Sequence, residues 1–417
     1  MTQNPETQPP SGLPASVDVV VVGAGIVGLA HAALAADRGL SVLVIDRDHR
    51  AVGASIRNFG HCCITAQTGD LYELATAGRK HWLDFSARAG YWSTESGAVV
   101  VARTATELRV LQELGERREP GQIVLLSAAQ TLARLGRTGT NPAPIEDAPT
   151  AGISTEGAPA EDTAPDQSAG VVGGAWLRDD LRVDPRTTVA QLAAWLDQQQ
   201  DAAVRWNTSA LGFAAGTTRT ARVQTSRGDV EADHVFVCVG HDVDLLFPEV
   251  AAEHRIDRCS LQMAAAEAPG GLELAPAVLT ATSMLRYGAF VELPSAPALQ
   301  AQVQAEDPEL LDIGANVMFT QRPDGTLLLG DSHAYQKTAD PFLAESTTDL
   351  LLDRIQGVLG VENLTVTERW QGIYASSDVG PLLVADIRQG VTAVSVTAGI
   401  GMTVSFGLAE RNINALP

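Results

Sequence analysis

The sequence predicts an α/β fold in which a doubly wound domain, built on a parallel sheet, is assembled from separated stretches of chain. A mainly antiparallel domain is inserted between those stretches. The first supporting observation is a compact strand–helix–strand unit at residues 17–46. The second is a strand-rich stretch at 255–330 that lacks the spacing of βαβ units.

The opening unit begins with VDVVVV at residues 17–22, a run typical of a strand that is buried on both faces of a parallel sheet. A stretch with helical periodicity follows and ends at Gly39. A second strand, SVLVID, then ends at Asp46. These three elements form one βαβ unit.

A glycine motif, GAGIVG at residues 23–28, lies between the first strand and the helix. Gly23 permits a tight turn, Gly25 lets the backbone approach a pyrophosphate, and Gly28 lets helix and strand pack closely. The pyrophosphate would meet free N–H groups and the positive end of the helix dipole. Asp46 can accept hydrogen bonds from ribose hydroxyls, which favours FAD or NAD over NADP. The motif therefore predicts a dinucleotide site.

Later segments favour FAD over NAD, because the chain does not continue with further βαβ units. It passes through SIRNFG at 55–60, crosses the antiparallel stretch, and returns with the strand HVFVCVG, which ends at Gly240. A third glycine turn, AGIGMT at 398–403, opens the last predicted helix. The N-terminus of that helix suits the negative charge of reduced flavin.

The predicted division of the chain has two parts. A Rossmann-like FAD-binding domain comprises residues 17–82, 171–250 and 368–417, and the substrate domain comprises 83–170 and 251–367. Residues 1–16 are predicted to be a disordered tail, and 138–170 a low-complexity, exposed insertion.

Charge and cysteine content exclude several classes of function. The 50 acidic residues outnumber the 29 Lys and Arg, which gives a net charge of −21 and argues against nucleic-acid or anionic-membrane partners. No segment is apolar enough for a transmembrane helix. The four cysteines have neither zinc-site nor disulfide spacing, so we expect no metal site, reduced thiols and a cytoplasmic protein.

The motifs GAGIVG, SIRNFG, VFVCVG and VTAGIGMTVSFGLAE together resemble the D-amino acid oxidase superfamily of flavoproteins, and most closely its glycine-oxidase and sarcosine-oxidase branch. RNFG with GIGMT further resembles a subgroup associated with aminophosphonate metabolism. The resemblance implies a substrate domain that faces the isoalloxazine ring. It also implies oxidation of a C–N bond by hydride transfer to flavin N5, with dioxygen or another acceptor taking the electrons.

The resemblance also implies which residues contact the cofactor. Some relatives attach flavin through a cysteine in the segment that aligns with residues 372–374, where this sequence has Gly372, so we expect FAD to be bound noncovalently. Cys62 and Cys63 should lie near the flavin as packing thiols. The expected cofactor-binding residues are Gly23, Gly25, Ile26, Gly28, Asp46, Arg47, Ser55, Arg57, Asn58, Gly240, Gly399, Gly401, Met402 and Thr403.

Four residues are candidates for the substrate end of the site: His61, Arg286, Tyr287 and Tyr374. Arg286 could hold a carboxylate or phosphonate in a bidentate grip, or be a surface salt-bridge arginine. Tyr374 could close the pocket, or be a core tyrosine. His333 and Lys337 are weaker candidates.

Three alternatives stay open at this point. The same fold could oxidise a 2-hydroxy acid, or bind FAD in a subunit that only transfers electrons. An NAD-dependent dehydrogenase is disfavoured by the split domain layout. The substrate headgroup, the electron acceptor and the oligomeric state are not determined by the sequence.

Overall fold

The computed structural model describes residues 12–137 and 170–417. Residues 1–11 of the predicted tail and 138–169 of the predicted insertion lie outside the described residues. The strands are β1 Ser16–Val22, β2 Val42–Ile45, β3 His61–Cys62, β4 Ser93–Thr94, β5 Ala98–Ala102, β6 Ile123–Ser127, β7 Gly173–Leu177, β8 Leu181–Val183, β9 Ala202–Arg205, β10 Ala210–Ala215, β11 Ala221–Thr225, β12 Gly228–Val237, β13 Asp257–Ala266, β14 Ala277–Leu279, β15 Met318–Gln321, β16 Leu327–Gly330, β17 Ala334–Gln336, β18 Val366–Ser376, β19 Leu382–Arg388 and β20 Val391–Val396.

The helices surround two large sheets. They are α1 Ile26–Asp37, α2 Gly69–Ala89, α3 Ala105–Arg117, α4 Ala128–Arg134, α5 Pro185–Leu196, α6 Val243–Leu246, α7 Pro248–Glu253, α8 Ala281–Met284, α9 Gly288–Val291, α10 Ala296–Glu306, α11 Pro308–Asp312, α12 Glu345–Leu359 and α13 Gly401–Asn414. Within residues 12–137 and 170–417, none of these helices combines the length and apolar character needed to cross a membrane.

The first sheet has the predicted doubly wound parallel core. Its parallel strands run in the order β9, β2, β1, β12 and β20, so that sequence-distant strands flank β1. The N-terminal half of β12 pairs antiparallel with β11 and its C-terminal half pairs with β20. Val19 and Val21 pack into one core with α1, while Val20 and Val22 pack into a second core on the other face. Burial on both faces explains why β1 is apolar at consecutive positions.

The second sheet is mainly antiparallel, as predicted. Its strand order is β17, β13, β16, β15, β14, β5, β7 and β6, and β18 pairs along β13. One pair, β14 with β5, is parallel. A third, small sheet joins β3, β8 and β4.

Two strands of the second sheet lie in stretches that the predicted division gives, in whole or in part, to the FAD-binding domain. Strand β7 lies in the second sheet, although the division assigned residues 171–250 to the first domain. Strand β18 also pairs in the second sheet, although the division began the last FAD segment at residue 368. Both strands take hydrogen-bond partners that are distant in sequence, and local patterns carry no information about such partners.

The stretch at 255–330 also differs from the prediction in secondary structure. Residues 281–312 contain the four short helices α8 to α11, not strands. Short segments that are buried in contact with a sheet have no clear period, so strand and helix are hard to distinguish there from sequence alone. Arg286 consequently lies between α8 and α9 and not on a strand.

Candidate active site

A cavity of about 550 Å³ extends between the two large sheets. It begins at the glycine turn after β1 and reaches the N-terminus of α13 and residues of β18. Every cofactor and substrate residue that the sequence predicts lines this cavity, with the exception of Gly28. The predicted residues are therefore brought together around one space.

The geometry of the glycine turn agrees with the packing roles expected for its first and third glycines. Gly23 has a φ of +105°, and a Cβ there would lie 2.4 Å from the Cys238 carbonyl oxygen. A Cβ on Gly28 would lie 1.9 Å from the Gly23 carbonyl oxygen, which explains why Gly28 supports the turn without lining the cavity. At Gly25 the nearest atom to an added Cβ is the Ser55 hydroxyl oxygen, at 3.1 Å.

Two side chains hold the turn in place. The Ala24 N–H donates to the Asp46 Oδ2 atom at 2.8 Å, and burial raises the pKa of Asp46. The Ile26 N–H, at the first residue of α1, donates to the Ser55 Oγ atom at 2.9 Å. A helix N-terminus with an adjacent hydroxyl group is a suitable anion site, because both can donate to phosphate oxygens.

The loop at 47–60 is held by contacts to protein groups. Arg47 forms a salt bridge with Asp242 at 2.6 Å, next to the turn at Gly240. Arg57 donates to the Gln371 carbonyl at 3.0 Å. Asn58 accepts from the Gly60 N–H and donates to the Ala54 carbonyl. Arg57 thus holds the loop against β18, and Asn58 braces the loop internally.

The N-terminus of α13 forms another part of the cavity wall. Gly399 has a φ of +71°, and a Cβ there would lie 2.9 Å from the ring of Tyr374. Thr403 accepts a hydrogen bond from the Cys63 N–H at 3.0 Å, and the Met402 carbonyl accepts one from Trp82 at 2.8 Å. An added Cβ on Gly401 would meet nothing within 4 Å, so a planar group can approach the helix N-terminus closely.

His61 is held by Asp180, a residue that the sequence reasoning missed. The His61 Nε2 atom lies 2.8 Å from the Asp180 Oδ2 atom, and the other carboxylate oxygen accepts from the N–H groups of Ile64 and Thr65. Because the carboxylate oxygens of Asp180 accept these hydrogen bonds, the Nε2 atom of His61 carries a proton and donates it to Oδ2. The Nδ1 atom is buried and has no hydrogen-bond partner in the described chain, and His61 lines the cavity.

The spacing needed to bind a metal ion is found in a buried group, whose ligand atoms lie within 4.8 Å of one another: His61, Cys63 and Asp180. The oxygens of Asp180, however, already accept three hydrogen bonds. Burial, together with Asp180, raises the pKa of Cys63 well above its usual range and keeps the thiol protonated. The group therefore orients His61 and is a poor ligand set for a metal.

Arg286 lines the same cavity, between α8 and α9. Its guanidinium donates to the Gly314 carbonyl at 3.3 Å and to the Tyr335 hydroxyl at 3.0 Å. Tyr287 packs beside it, with its hydroxyl 3.9 Å from the Met318 sulfur, and burial raises the pKa of Tyr287 well above its usual range. Burial also raises the pKa of Tyr374, so both tyrosines are neutral.

The two weaker candidates differ in position. His333 lines the cavity, and its Nδ1 atom lies 2.9 Å from the Gly314 carbonyl oxygen. Lys337 lies outside the cavity, where its exposed ammonium forms a salt bridge with Asp257 at 2.6 Å.

Asp331 is the second site residue that the sequence reasoning missed. It follows β16, is only 4% exposed, and lines the cavity. Burial raises the pKa of Asp331 to about 7, and the positive charge of Arg286 opposes part of this rise. A carboxyl in a GDS sequence is expected at an exposed turn, so no local signal marks it.

The cavity fits FAD on three observations. It connects two helix N-termini, it is open at Gly401 where a cofactor must approach the backbone, and it presents the unpartnered Nδ1 atom of His61. A Rossmann-like sheet with this cavity defines a dinucleotide-binding redox protein.

Comparison with known protein families agrees with a dinucleotide-binding redox protein. Residues 18–412 match the model of the DAO family, FAD dependent oxidoreductase, so the chain belongs to that family and is a FAD-dependent oxidoreductase. Among curated proteins, none matches this sequence.

Solved structures with 15–16% identity share the fold. Glycine oxidase from Bacillus cereus ATCC 14579 is 15% identical with a TM-score of 0.71, and the match covers 96% of this chain and 94% of that one. L-Proline dehydrogenase from P. horikoshii is 16% identical with a TM-score of 0.70, covering 96% and 93%. FAD-bound L-α-glycerophosphate oxidase from Mycoplasma pneumoniae is 16% identical with a TM-score of 0.68, covering 96% and 95%.

Proposed function

We propose that the protein oxidises the C–N bond of a small amine that also carries an anionic group. The observation that carries this proposal is the half-buried guanidinium of Arg286 at one end of the cavity. Its two hydrogen-bond acceptors, a carbonyl and a hydroxyl, are neutral, so the guanidinium can still donate to a carboxylate or phosphonate. The similarity in fold to glycine oxidase and L-proline dehydrogenase also supports an amine substrate.

Bound FAD would supply the acceptor for the hydride that leaves the carbon next to the amine, and hydrolysis of the imine by water would give a carbonyl compound and a free amine. The protein's own residues position the substrate. Arg286 anchors the anionic group, and Tyr287 and Tyr374 form neutral walls that limit access of water. His61 offers the Nδ1 lone pair as an acceptor, in an orientation fixed by Asp180. Orientation of this kind accounts for much of the barrier lowering in such sites.

Within this class, we favour aminoalkylphosphonates and their N-methyl derivatives, alongside small amino acids. The support is the resemblance of RNFG and GIGMT to the aminophosphonate-associated subgroup. We also propose noncovalent FAD, since Gly372 offers no thiol on β18, and release of all flavin on acid precipitation is the expected result. A cytoplasmic location is proposed from composition alone.

The test is an anaerobic visible spectrum of the flavoprotein before and after addition of small amines. The panel contains glycine, sarcosine, D-alanine, aminoethylphosphonate and N-methylaminoethylphosphonate. Bleaching of the flavin band by at least one amine is expected, and the order of rates ranks carboxylate against phosphonate. If no amine bleaches the flavin, the proposal is wrong.

A matched set of variants tests whether Arg286 binds the anionic group of the substrate. Arg286→Met should raise the substrate KM by roughly 30-fold or more, because a buried charge partner is lost. Arg286→Lys should recover part of the affinity, since it keeps the charge without the bidentate geometry. Arg109→Met is the control, because that arginine is 57% exposed and pairs with Glu113 on α3. Unchanged substrate affinity in Arg286→Met would exclude the anchoring role.

The second candidate function is oxidation of a hydroxyl-bearing anion, as the fold similarity to L-α-glycerophosphate oxidase suggests. Bleaching by lactate, glycolate or glycerol 3-phosphate, with no response to amines, would establish it. A flavin that neither class reduces would favour a subunit that only transfers electrons. The NAD-dependent alternative is excluded by membership in the FAD-dependent family.

A further inference from the structure

Asp331 has the geometry of a ligand-binding group and not of a structural one. Its backbone is fully engaged, because its N–H donates to the Asn316 carbonyl and its carbonyl accepts from the Asn316 N–H, both at 2.8 Å. The side chain is 5% exposed and lines the cavity, and its Oδ1 atom has no hydrogen-bond partner in the described chain. A buried carboxylate without a full set of partners is costly, so it indicates a partner supplied by a ligand.

His333, the histidine that faces Asp331, does not neutralise its charge. The His333 Nε2 atom lies 3.9 Å from the Asp331 Oδ2 atom. Because the His333 Nδ1 atom is bonded to the Gly314 carbonyl, it carries the ring proton, and burial lowers the pKa of His333 well below its usual range. His333 is therefore neutral, with a lone pair on Nε2.

The remaining neighbours are neutral or positively charged. Tyr287 and Cys259 stay protonated at neutral pH, because burial raises the pKa of Tyr287 well above its usual range and that of Cys259 to about 11. The amide of Asn316 and the positive charge of Arg286 favour the ionised form of Asp331, and burial opposes it. The result is one positive and one titratable negative group at the same end of the cavity.

We propose that Asp331 binds the substrate's ammonium group and removes one proton from it, an inference that rests on the proposed amine oxidation. In this step an N–H bond of the ammonium breaks and an O–H bond forms at Oδ1. The electron pair of the N–H bond stays on nitrogen as the lone pair that hydride loss from the neighbouring carbon requires. Arg286 holds the anionic group meanwhile, so the pocket selects a zwitterion.

Burial favours this transfer. An alkylammonium has a pKa of about 10 in water, so only about one amine molecule in a thousand is neutral at pH 7. In a low-dielectric cavity the charged pair of ammonium and carboxylate is disfavoured, and transfer of the proton replaces it with two neutral groups. The same burial that raises the pKa of Asp331 to about 7 makes the carboxylate a better base for this step.

The first experiment measures binding without turnover. α-Aminoisobutyrate has no hydrogen on the carbon next to nitrogen and cannot lose hydride, and isobutyrate has the same skeleton without the amine. The phosphonate counterparts, 1-amino-1-methylethylphosphonate and isopropylphosphonate, are used in parallel. Dissociation constants come from perturbation of the flavin spectrum in the FAD-loaded protein.

Asp331→Asn should weaken binding of the amino ligand on the order of 30-fold, because one partner of a buried charge pair is lost. It should leave binding of the ligand without an amine equal or tighter, since Arg286 loses a competing negative charge. The control Asp324→Asn, on the exposed turn between β15 and β16, should change neither constant. Equal weakening of both ligands by Asp331→Asn would overturn the proposal.

The second experiment is the pH dependence of anaerobic flavin reduction by rapid mixing. In the wild type, the rate constant of flavin reduction divided by the substrate dissociation constant should rise about tenfold per pH unit below pH 7 and then level off. Asp331→Asn should lose this inflection, and Asp331→Glu should restore it. The proposal is wrong if the wild-type profile has no inflection in this range, or if Asp331→Asn keeps it.

These outcomes separate the two levels of inference. If no amine bleaches the wild-type flavin, the proposed function fails. If amines bleach wild type and Asp331→Asn with the same pH profile, only the role of Asp331 fails. If Asp331→Asn does not fold, the wild type still decides: its affinity for α-aminoisobutyrate should rise through pH 7 while that for isobutyrate should not.

Discussion

Two glycine-to-alanine substitutions, both inside helices, should have opposite effects on this protein. Gly28 is in α1, where an added Cβ would lie 1.9 Å from the Gly23 carbonyl oxygen and 3.1 Å from Val21 Cγ1. Gly357 is in α12, where an added Cβ would meet nothing within 4 Å. The pair separates the effect of packing from the effect of helix propensity.

The loss in the free energy of unfolding for Gly28→Ala can be estimated from the contact between the added Cβ and the Gly23 carbonyl oxygen. A carbon–oxygen contact needs about 3.3 Å, so α1 and the glycine turn must separate by about 1.4 Å. That displacement breaks the 2.8 Å hydrogen bond from the Ala24 N–H to Asp46, a loss of about 1 kcal/mol. Overpacking adds about 1–3 kcal/mol. We expect a total loss of about 3 kcal/mol in the free energy of unfolding.

Gly357→Ala should raise the free energy of unfolding by about 0.5–1 kcal/mol, the difference in helix propensity. Urea unfolding of the apoprotein measures both changes. FAD titration by fluorescence quenching should show at least a roughly tenfold weaker affinity in Gly28→Ala, because the N–H groups at the start of α1 move, and no change in Gly357→Ala. If Gly28→Ala unfolds within about 0.5 kcal/mol of wild type and binds FAD within about twofold, the packing argument is wrong.

Three further predictions follow from the site. In Asp180→Asn the single amide oxygen stays with the Ile64 and Thr65 N–H groups and the NH2 group faces His61, so nitrogen-15 NMR of that imidazole should show loss of the proton on Nε2, and an unchanged signal would contradict the contact. Gly399→Ala places a Cβ 2.9 Å from the Tyr374 ring at a φ of +71°, so flavin reduction measured by rapid mixing should slow, and a wild-type rate would refute the contact. The pKa of Asp331 is raised on folding from 3.8 to about 7, so the wild type should lose stability relative to Asp331→Asn as pH rises from about 4 to 7, by up to about 4 kcal/mol in urea unfolding. Parallel pH dependence of the two proteins would contradict that shift.

The dinucleotide end of the site could be predicted because its determinants are local. The turn at Gly23, the close packing at Gly28 and the position of Asp46 after β2 are separated by no more than 23 residues. Each depends on backbone geometry that only a few residue types allow. The glycine turn before α13 has the same property, so the sequence also located that second wall of the cavity.

The substrate end could be predicted only in part. Arg286 and His61 were named from their neighbours in sequence, but the helices at 281–312 that position Arg286 were not predicted. Asp180 and Asp331 were missed because nothing near them in sequence indicates that their carboxyl groups are buried. Burial is a property of the packed molecule, and it is burial that raises the pKa of Asp331 and leaves its Oδ1 atom without a partner.

The sequence by itself determined the class of fold, the glycine turns and the FAD-dependent chemistry, because these depend on patterns that act over a few residues. Only the tertiary structure decided which polar groups meet at the reactive end of the cavity. His61, Arg286 and Asp331 line the cavity from three separate segments, and Asp180, from a fourth, holds His61. Sheets whose strands pair with sequence-distant partners bring these segments together. The charge that each group carries there depends on its burial and on the neighbours that this pairing supplies.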